Sequence, residues 1–353
     1  MTCVNRQTLR TPAQLLANGL IAEESVERVE EVARRFAIAI TSHVHGLIDA
    51  DDGADPIAAQ FVPNHLEMNW SDEEVTDPTS DDPYTPTPGI VHRYPDRVLL
   101  KPLLMCPVYC RFCFRREVVG PGSGGGLSEH DLESALAYIE SREEIWEVVI
   151  TGGDPLIMSP RRIHTIMRRL EKIRHLGVVR FHTRVPVVKP ESITQDLIEA
   201  LRIKKAVYIV LHANHVRELS EEAKGACAKL IDSGFPMLSQ TVLLRGVNAD
   251  PKALERLFRA LVEMRIKPYY LHHGDLAKGT GHFRTSIAEG QEIMKALRGN
   301  VSGLCQPLYV LDIPGGSGKV PIGPCYLDSQ GNGDYSVLDY KGNSHSYRDS
   351  AAR

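Results

Sequence analysis

The chain has 353 residues and a formal net charge of −4, with 42 % hydrophobic and 24 % charged residues. These values fit a folded globular protein, and the acidic balance speaks against a general binder of nucleic-acid backbones. No apolar run approaches the roughly 20 residues of a membrane helix, and residues 1–12 lack the basic-then-apolar order of a secretory leader, so a cytoplasmic protein with no membrane partner is expected.

In chain order, Val26, Val29, Ala33, Phe36 and Ile40 recur at three- and four-residue spacing and predict an amphipathic helix, ended by the acidic stretch 49–55. Residues 71–88 are rich in Asp, Glu, Thr and Pro and predict an extended linker with a solvated acidic surface. From Val98 onward short apolar strands alternate with helices. Strands are expected over 98–105, 147–151, 178–183, 206–212, 238–244 and 268–272, with helices such as 128–139, capped by Ser128, and 161–173 between them. Such alternation predicts an α/β fold with a parallel sheet. Six units are fewer than the eight of a closed barrel. The expected architecture is therefore an open (β/α)6 partial TIM-type barrel over 91–299, preceded by a helical extension over 1–90. A short C-terminal segment over 300–353, where the alternation stops, follows it.

Cys106, Cys110 and Cys113 form a CxxxCxxC pattern after the first expected strand. Parallel α/β folds place their chemistry at that end of the sheet. Thiolates so closely spaced suit an iron–sulfur cluster, and a four-iron cluster normally takes four cysteines. Three leave one iron open to a substrate or cosubstrate. Zinc normally asks for two separated ligand pairs, or three ligands and a water, whereas Cys3, Cys227, Cys305 and Cys325 stand alone. Buried structural thiols are the blander reading, and disulfides are not expected in a reducing compartment. Phe112 completes a CxxxCxΦC pattern, so this stretch resembles the radical S-adenosylmethionine enzymes. The resemblance implies that the open iron binds S-adenosylmethionine and that a 5′-deoxyadenosyl radical is released beside the substrate.

A second unusual segment, DIPGGSGKVP over 312–321, carries Lys319 on a glycine loop. A phosphate loop would need Gly at Ile313 and Ser or Thr at Val320, and has neither. A lysine here suits phosphate binding or a Schiff base, while from the local sequence alone an ordinary surface turn with an exposed lysine is the better reading.

Taken with HRYPDRVLL before the cysteines and TGGDP after them, the chain from about Asp55 onward closely resembles the lysine 2,3-aminomutase family. The resemblance implies pyridoxal 5′-phosphate beside S-adenosylmethionine and a [4Fe-4S] cluster. It gives Lys319 the Schiff-base role and puts Arg93, Tyr94 and Arg97 beside pyridoxal phosphate. Arg115 would hold the substrate carboxylate, and Asp275 and Asp312 the ε-ammonium of L-lysine. Gly152, Gly153 and Asp154 would bind S-adenosylmethionine, with His212 or His215 and Gln240 at further pocket positions. The implied reaction moves the α-amino group of L-lysine to C3, giving β-lysine, with electrons from a reducing donor such as flavodoxin or ferredoxin. Homo-oligomerisation stays open. Three other readings also stay open: the aminomutase that prepares β-lysine for elongation factor P, which shares CFRR and PYYLH; a glutamate 2,3-aminomutase, disfavoured by the paired aspartates; and an iron–sulfur electron-transfer protein without turnover. Longer family members carry a cysteine-rich tail that helps bind zinc between subunits, so no structural zinc is expected in this sequence.

Overall fold

The computed structural model describes residues 7–122 and 124–351, so Cys3 lies outside the described residues. Nine strands form one sheet in chain order. β1 (Ile90–Tyr94) and β2 (Arg97–Leu103) pair as an antiparallel hairpin. β2 then starts a parallel run through β3 (Glu147–Gly152), β4 (Val178–Thr183) and β5 (Ala206–His212). The run continues through β6 (Met237–Val242), β7 (Ile266–His272) and β8 (Leu308–Asp312). β9 (Lys319–Pro321) returns antiparallel along β8. β1 and β9 stay as edges, so the barrel is open.

Six helices make the crossovers: Glu129–Glu140, Pro160–Lys172, Gln195–Leu201, Glu221–Asp232, Pro251–Glu263 and Ile287–Leu297. Each begins on a Ser, Thr or Asp whose side chain accepts a backbone N–H of the first turn, which satisfies one of the donors a helix start leaves open. Their apolar stripes, such as Ile163, Ile166, Met167 and Leu170, pack on strand residues such as Val148, Ile150, Val179 and Phe181 in one core. Each such side chain contributes about 1.5–3 kcal/mol by leaving water. The opposite, polar faces of the strands are thereby turned toward the inside of the half-barrel.

Three expectations need correction. The helix over 26–40 stops at Arg35. The carbonyls of Ala37 and Ala39 instead accept from the Arg111 guanidinium at 2.8 Å and from the Tyr109 amide at 3.2 Å, so 36–40 runs extended against the cysteine loop. The 71–88 segment is no solvated linker, because Glu74 and Asp81 are buried. The strand–helix alternation also continues past residue 299, since β8 pairs with β7 and carries the sheet one parallel strand further. A separate antiparallel meander, β10 (Leu327–Gly331), β11 (Asp334–Leu338) and β12 (Ser344–Arg348), follows. No helix among the described residues is long and apolar enough to cross a membrane.

Candidate active site

The half-barrel encloses a cavity of about 750 Å³. Of the sixteen residues singled out above as cluster, cofactor or substrate contacts, all but His215 line it, from Cys106 at one end to Lys319 and Asp312 on the last strands.

The cysteine loop follows β2 directly. Cys106, Cys110 and Cys113 line this cavity and, on their other side, a smaller one of about 40 Å³. Burial, then Asp154 and the other two thiols, push the Cys106 thiol well up, and burial with Cys110 takes Cys113 to about 11. Among the described residues no three His, Cys, Asp or Glu side chains converge on a single ion. A cluster asks for a different arrangement, in which each sulfur reaches its own iron. Three half-buried thiols sharing one space fit that demand.

Gly152 and Gly153 end β3 beside this loop. A Cβ on Gly153 would overlap the Met105 backbone, and the amides of Gly153 and Asp154 donate to the carbonyls of Leu103 and Met105 at 2.7 and 2.9 Å. The glycines therefore bring the end of β3 into contact with the residue that precedes Cys106. Both carboxylate oxygens of Asp154 are engaged, accepting from the Thr183 hydroxyl at 2.7 Å and from the Leu156, Arg184 and Val185 amides at 3.2, 2.6 and 3.1 Å. Asp154 thus ties the end of β3 to the end of β4.

His212 and Gln240 stand in register on β5 and β6, and both line the cavity. The His212 ring packs 5.6 Å from Phe112. Burial, then the Arg184 charge, hold it neutral. His215, the other candidate, instead caps a short 3-10 turn, accepting from the Arg217 amide at 3.3 Å.

At the far side, Asp312 and Lys319 are cross-strand partners on β8 and β9, joined by an ion pair. The Lys319 amide donates to the Tyr94 hydroxyl at 2.8 Å, with Gly318 turning at φ 94° where a Cβ would press on that tyrosine. His272 Nδ1 lies 3.4 Å from Lys319 Nζ, and burial with the lysine charge keeps the ring neutral. Burial works against ionised Asp312, but His272 and Lys319 outweigh it and hold its carboxyl far below the usual range. Asp275, in the loop after β7, has no ion pair among the described residues. Burial and the nearby Asp312 push it up to about 7. Arg97 pairs with Asp96 at 2.7 Å and stacks 3.8 Å over the Tyr94 ring. Arg93 and Arg115 each reach Asp81 at 3.1 Å.

The chain that builds this cavity is similar to known proteins along most of its length. Residues 100–258 match the Radical SAM superfamily model and residues 294–352 match Lysine-2,3-aminomutase. The L-lysine 2,3-aminomutase of Clostridium subterminale is 38 % identical over 337 residues, covering 96 % of this chain and 81 % of that protein. The chain belongs to the lysine 2,3-aminomutase family. The enzyme of the same name from Fusobacterium nucleatum is 40 % identical over 310 residues, covering 88 % of this chain and 73 % of its own. The glutamate 2,3-aminomutase of Clostridioides difficile is 37 % identical over 318 residues, covering 90 % and 75 %. This member is accordingly a radical SAM enzyme of the isomerase class.

Several residues of this family member escaped the sequence reading. Arg184, fully inside, donates to Cys110 Sγ at 2.8 Å, to Glu218 at 2.6 Å and to Gln60 at 2.5 Å, and lies between the rings of Phe61 and Phe112. Arg111 and Arg116, which alternate with the cysteines, both pair with buried Glu67. Glu74 pairs with Arg284, and Asp81 with Arg93, Lys101 and Arg115. The signal was charge complementarity: acidic residues at 67, 74 and 81 precede an arginine-rich cysteine loop.

Proposed function

We propose that the chain is a lysine 2,3-aminomutase that converts L-lysine to β-lysine. The observation carrying this is Asp275: a carboxylate inside the cavity, beside a second carboxylate, with no ion pair among the described residues and only the weaker pull of Lys319 and Arg115 to offset its burial. Burying such a group is costly unless a charge partner arrives. Lysine brings a terminal ammonium, whereas glutamate would bring a third negative charge.

Cys106, Cys110 and Cys113 would hold a [4Fe-4S] cluster, with Gly152, Gly153, His212 and Gln240 toward S-adenosylmethionine. Lys319 would anchor pyridoxal phosphate, with Tyr94, Arg93 and Arg97 alongside. When bound, these groups supply one-electron hydrogen abstraction and a temporary attachment for the migrating nitrogen. The remaining work belongs to the side chains. Arg115 holds the substrate carboxylate through its guanidinium fork. Asp275 and Asp312 hold the ε-ammonium, fixing the length of the amino acid between opposite charges. His272, neutral and 3.4 Å from Lys319 Nζ, is placed to accept a hydrogen bond from that amine and orient it. Phe112, Phe283 and Leu244 pack beside the cysteines and keep water from the reacting carbon.

A reducing protein such as flavodoxin or ferredoxin would deliver the electron. A cytoplasmic location fits the six described cysteines, all free thiols. The test is anaerobic turnover of L-lysine by the reconstituted protein with both organic cofactors and a strong reductant. β-Lysine is the expected product. Accumulation of 5′-deoxyadenosine without β-lysine would reject the substrate.

A further inference from the structure

Asp81 sits where the sequence suggested a solvated surface, yet it is only 6 % exposed and lines the cavity. Its segment is bound to the barrel on both sides of that residue. The Val75 amide donates to the Leu276 carbonyl at 2.8 Å, and Glu74 accepts from the Gly279 amide at 3.0 Å. Tyr84 stacks 5.3 Å from the Arg93 guanidinium.

Three cations meet this one carboxylate. Oδ1 accepts from Arg93 Nη2 at 3.1 Å and from the Thr79 hydroxyl at 3.3 Å. Oδ2 accepts from Arg115 Nη2 at 3.1 Å and Lys101 Nζ at 3.5 Å. Neither guanidinium makes the two-toothed contact it is shaped for, and the Nε atoms of Arg93 and Arg115 are buried without a partner. Burial lowers the Lys101 ammonium, against the pull of Asp81 and with a smaller push from Arg115. Such a cluster is built to receive another anion.

We propose that Asp81 is a positioning residue of the substrate site, which fixes one corner of Arg115 so that its free edge meets the amino acid's carboxylate, and which keeps inorganic phosphate out by neutralising part of the Arg93–Lys101–Arg115 cluster. This rests on the reading of Arg115 as the carboxylate ligand. A carboxylate arriving at a guanidinium already held at one corner loses less orientational freedom than one that must order it. Without Asp81 the three cations lose the carboxylate they share, with only the weaker pull of Asp77 left on Lys101, and a small dianion becomes the better-matched ligand.

The test uses enzyme loaded with cluster, S-adenosylmethionine and pyridoxal phosphate, without reductant, so that L-lysine binds and is not turned over. Calorimetric titration compares wild type, Asp81→Asn, Asp81→Glu and Arg115→Gln, with and without inorganic phosphate. Asp81→Asn should bind L-lysine about tenfold more weakly, the size of one lost hydrogen bond between charged groups, and phosphate should compete in it but not in wild type. Asp81→Glu, which keeps the charge, should recover most of the affinity and the resistance to phosphate. The proposal is overturned if folded, cofactor-loaded Asp81→Asn binds L-lysine as wild type does and is indifferent to phosphate. It is overturned equally if Asp81→Glu is no better than Asp81→Asn. If Arg115→Gln binds L-lysine as tightly as wild type, the carboxylate assignment itself fails, and that result is recognisable whatever the Asp81 variants do.

Discussion

Asp312 and Lys319 face each other in register across β8 and β9, and the aspartate takes the lysine ammonium as its ion-pair partner. The side chain proposed to anchor pyridoxal phosphate and the carboxylate proposed to grip the substrate's ammonium are therefore one unit. In the free chain Lys319 holds the place that the substrate's cation is to take. Asp312→Asn should lower kcat/KM for L-lysine by about tenfold to a hundredfold, since a hydrogen bond to a charged group contributes roughly 1.5–3 kcal/mol. Steady-state formation of β-lysine, normalised to bound pyridoxal phosphate, measures this. A loss of only a few-fold would remove Asp312 from the substrate site.

Asp275 brings a pH dependence. Its carboxyl is held at about 7 by burial and by Asp312, so below that pH it is protonated and offers no charge to an ammonium. L-Lysine affinity should rise as pH climbs from 5.5 toward 7 and level off above it, and Asp275→Asn should flatten this profile. The same group acts on stability in the opposite sense. Its folded value exceeds the ordinary 3.8, so the folded chain keeps a proton that the unfolded chain has lost. That contribution is full below about 4 and disappears as pH rises through 7. Thermal melts of Asp275→Asn against wild type across this range would show it.

Arg184 joins Cys110 to Glu218 and Gln60 inside the protein. Arg184→Met leaves Glu218 as a buried charge without its cation, and should destabilise the fold by about 3–5 kcal/mol. The double variant Arg184→Met with Glu218→Gln should recover part of this. Denaturant unfolding of the four proteins closes the cycle, and additive effects would contradict the direct coupling.

Gly153→Ala should reduce iron retention, because the added methyl would drive the end of β3 into the Met105 backbone. Overpacking of this kind typically costs about 1–3 kcal/mol, and here it falls on the residue before Cys106. Iron per chain after anaerobic reconstitution is the measure, with Gly225→Ala, where a Cβ meets nothing within 4 Å, as the control.

The six strands could be read from sequence because each is a short apolar run, and the helix after Ser128 because it starts on a capping residue. β8 was missed because Leu308–Asp312 is short, follows a turn-rich stretch and ends in the charged residue that the site requires. The helix over 26–40 was overextended because the apolar spacing continues through Phe36 and Ile40, which are buried but extended against the cysteine loop. The site residues recognised from motifs come together in one cavity, whereas Arg184, Glu67 and Asp81 did not show. Their partners are distant in sequence, and an acidic residue in a Pro-rich segment reads locally as solvated. Only the fold reveals that Asp81 meets Arg93, Lys101 and Arg115.

Substrate choice is the point on which the two carboxylates bear most directly. An equimolar mixture of L-lysine and L-glutamate, incubated anaerobically with the fully loaded enzyme and analysed by mass spectrometry, should yield β-lysine and no β-glutamate. Formation of β-glutamate at a comparable rate would show that Asp275 and Asp312 do not form the ammonium site.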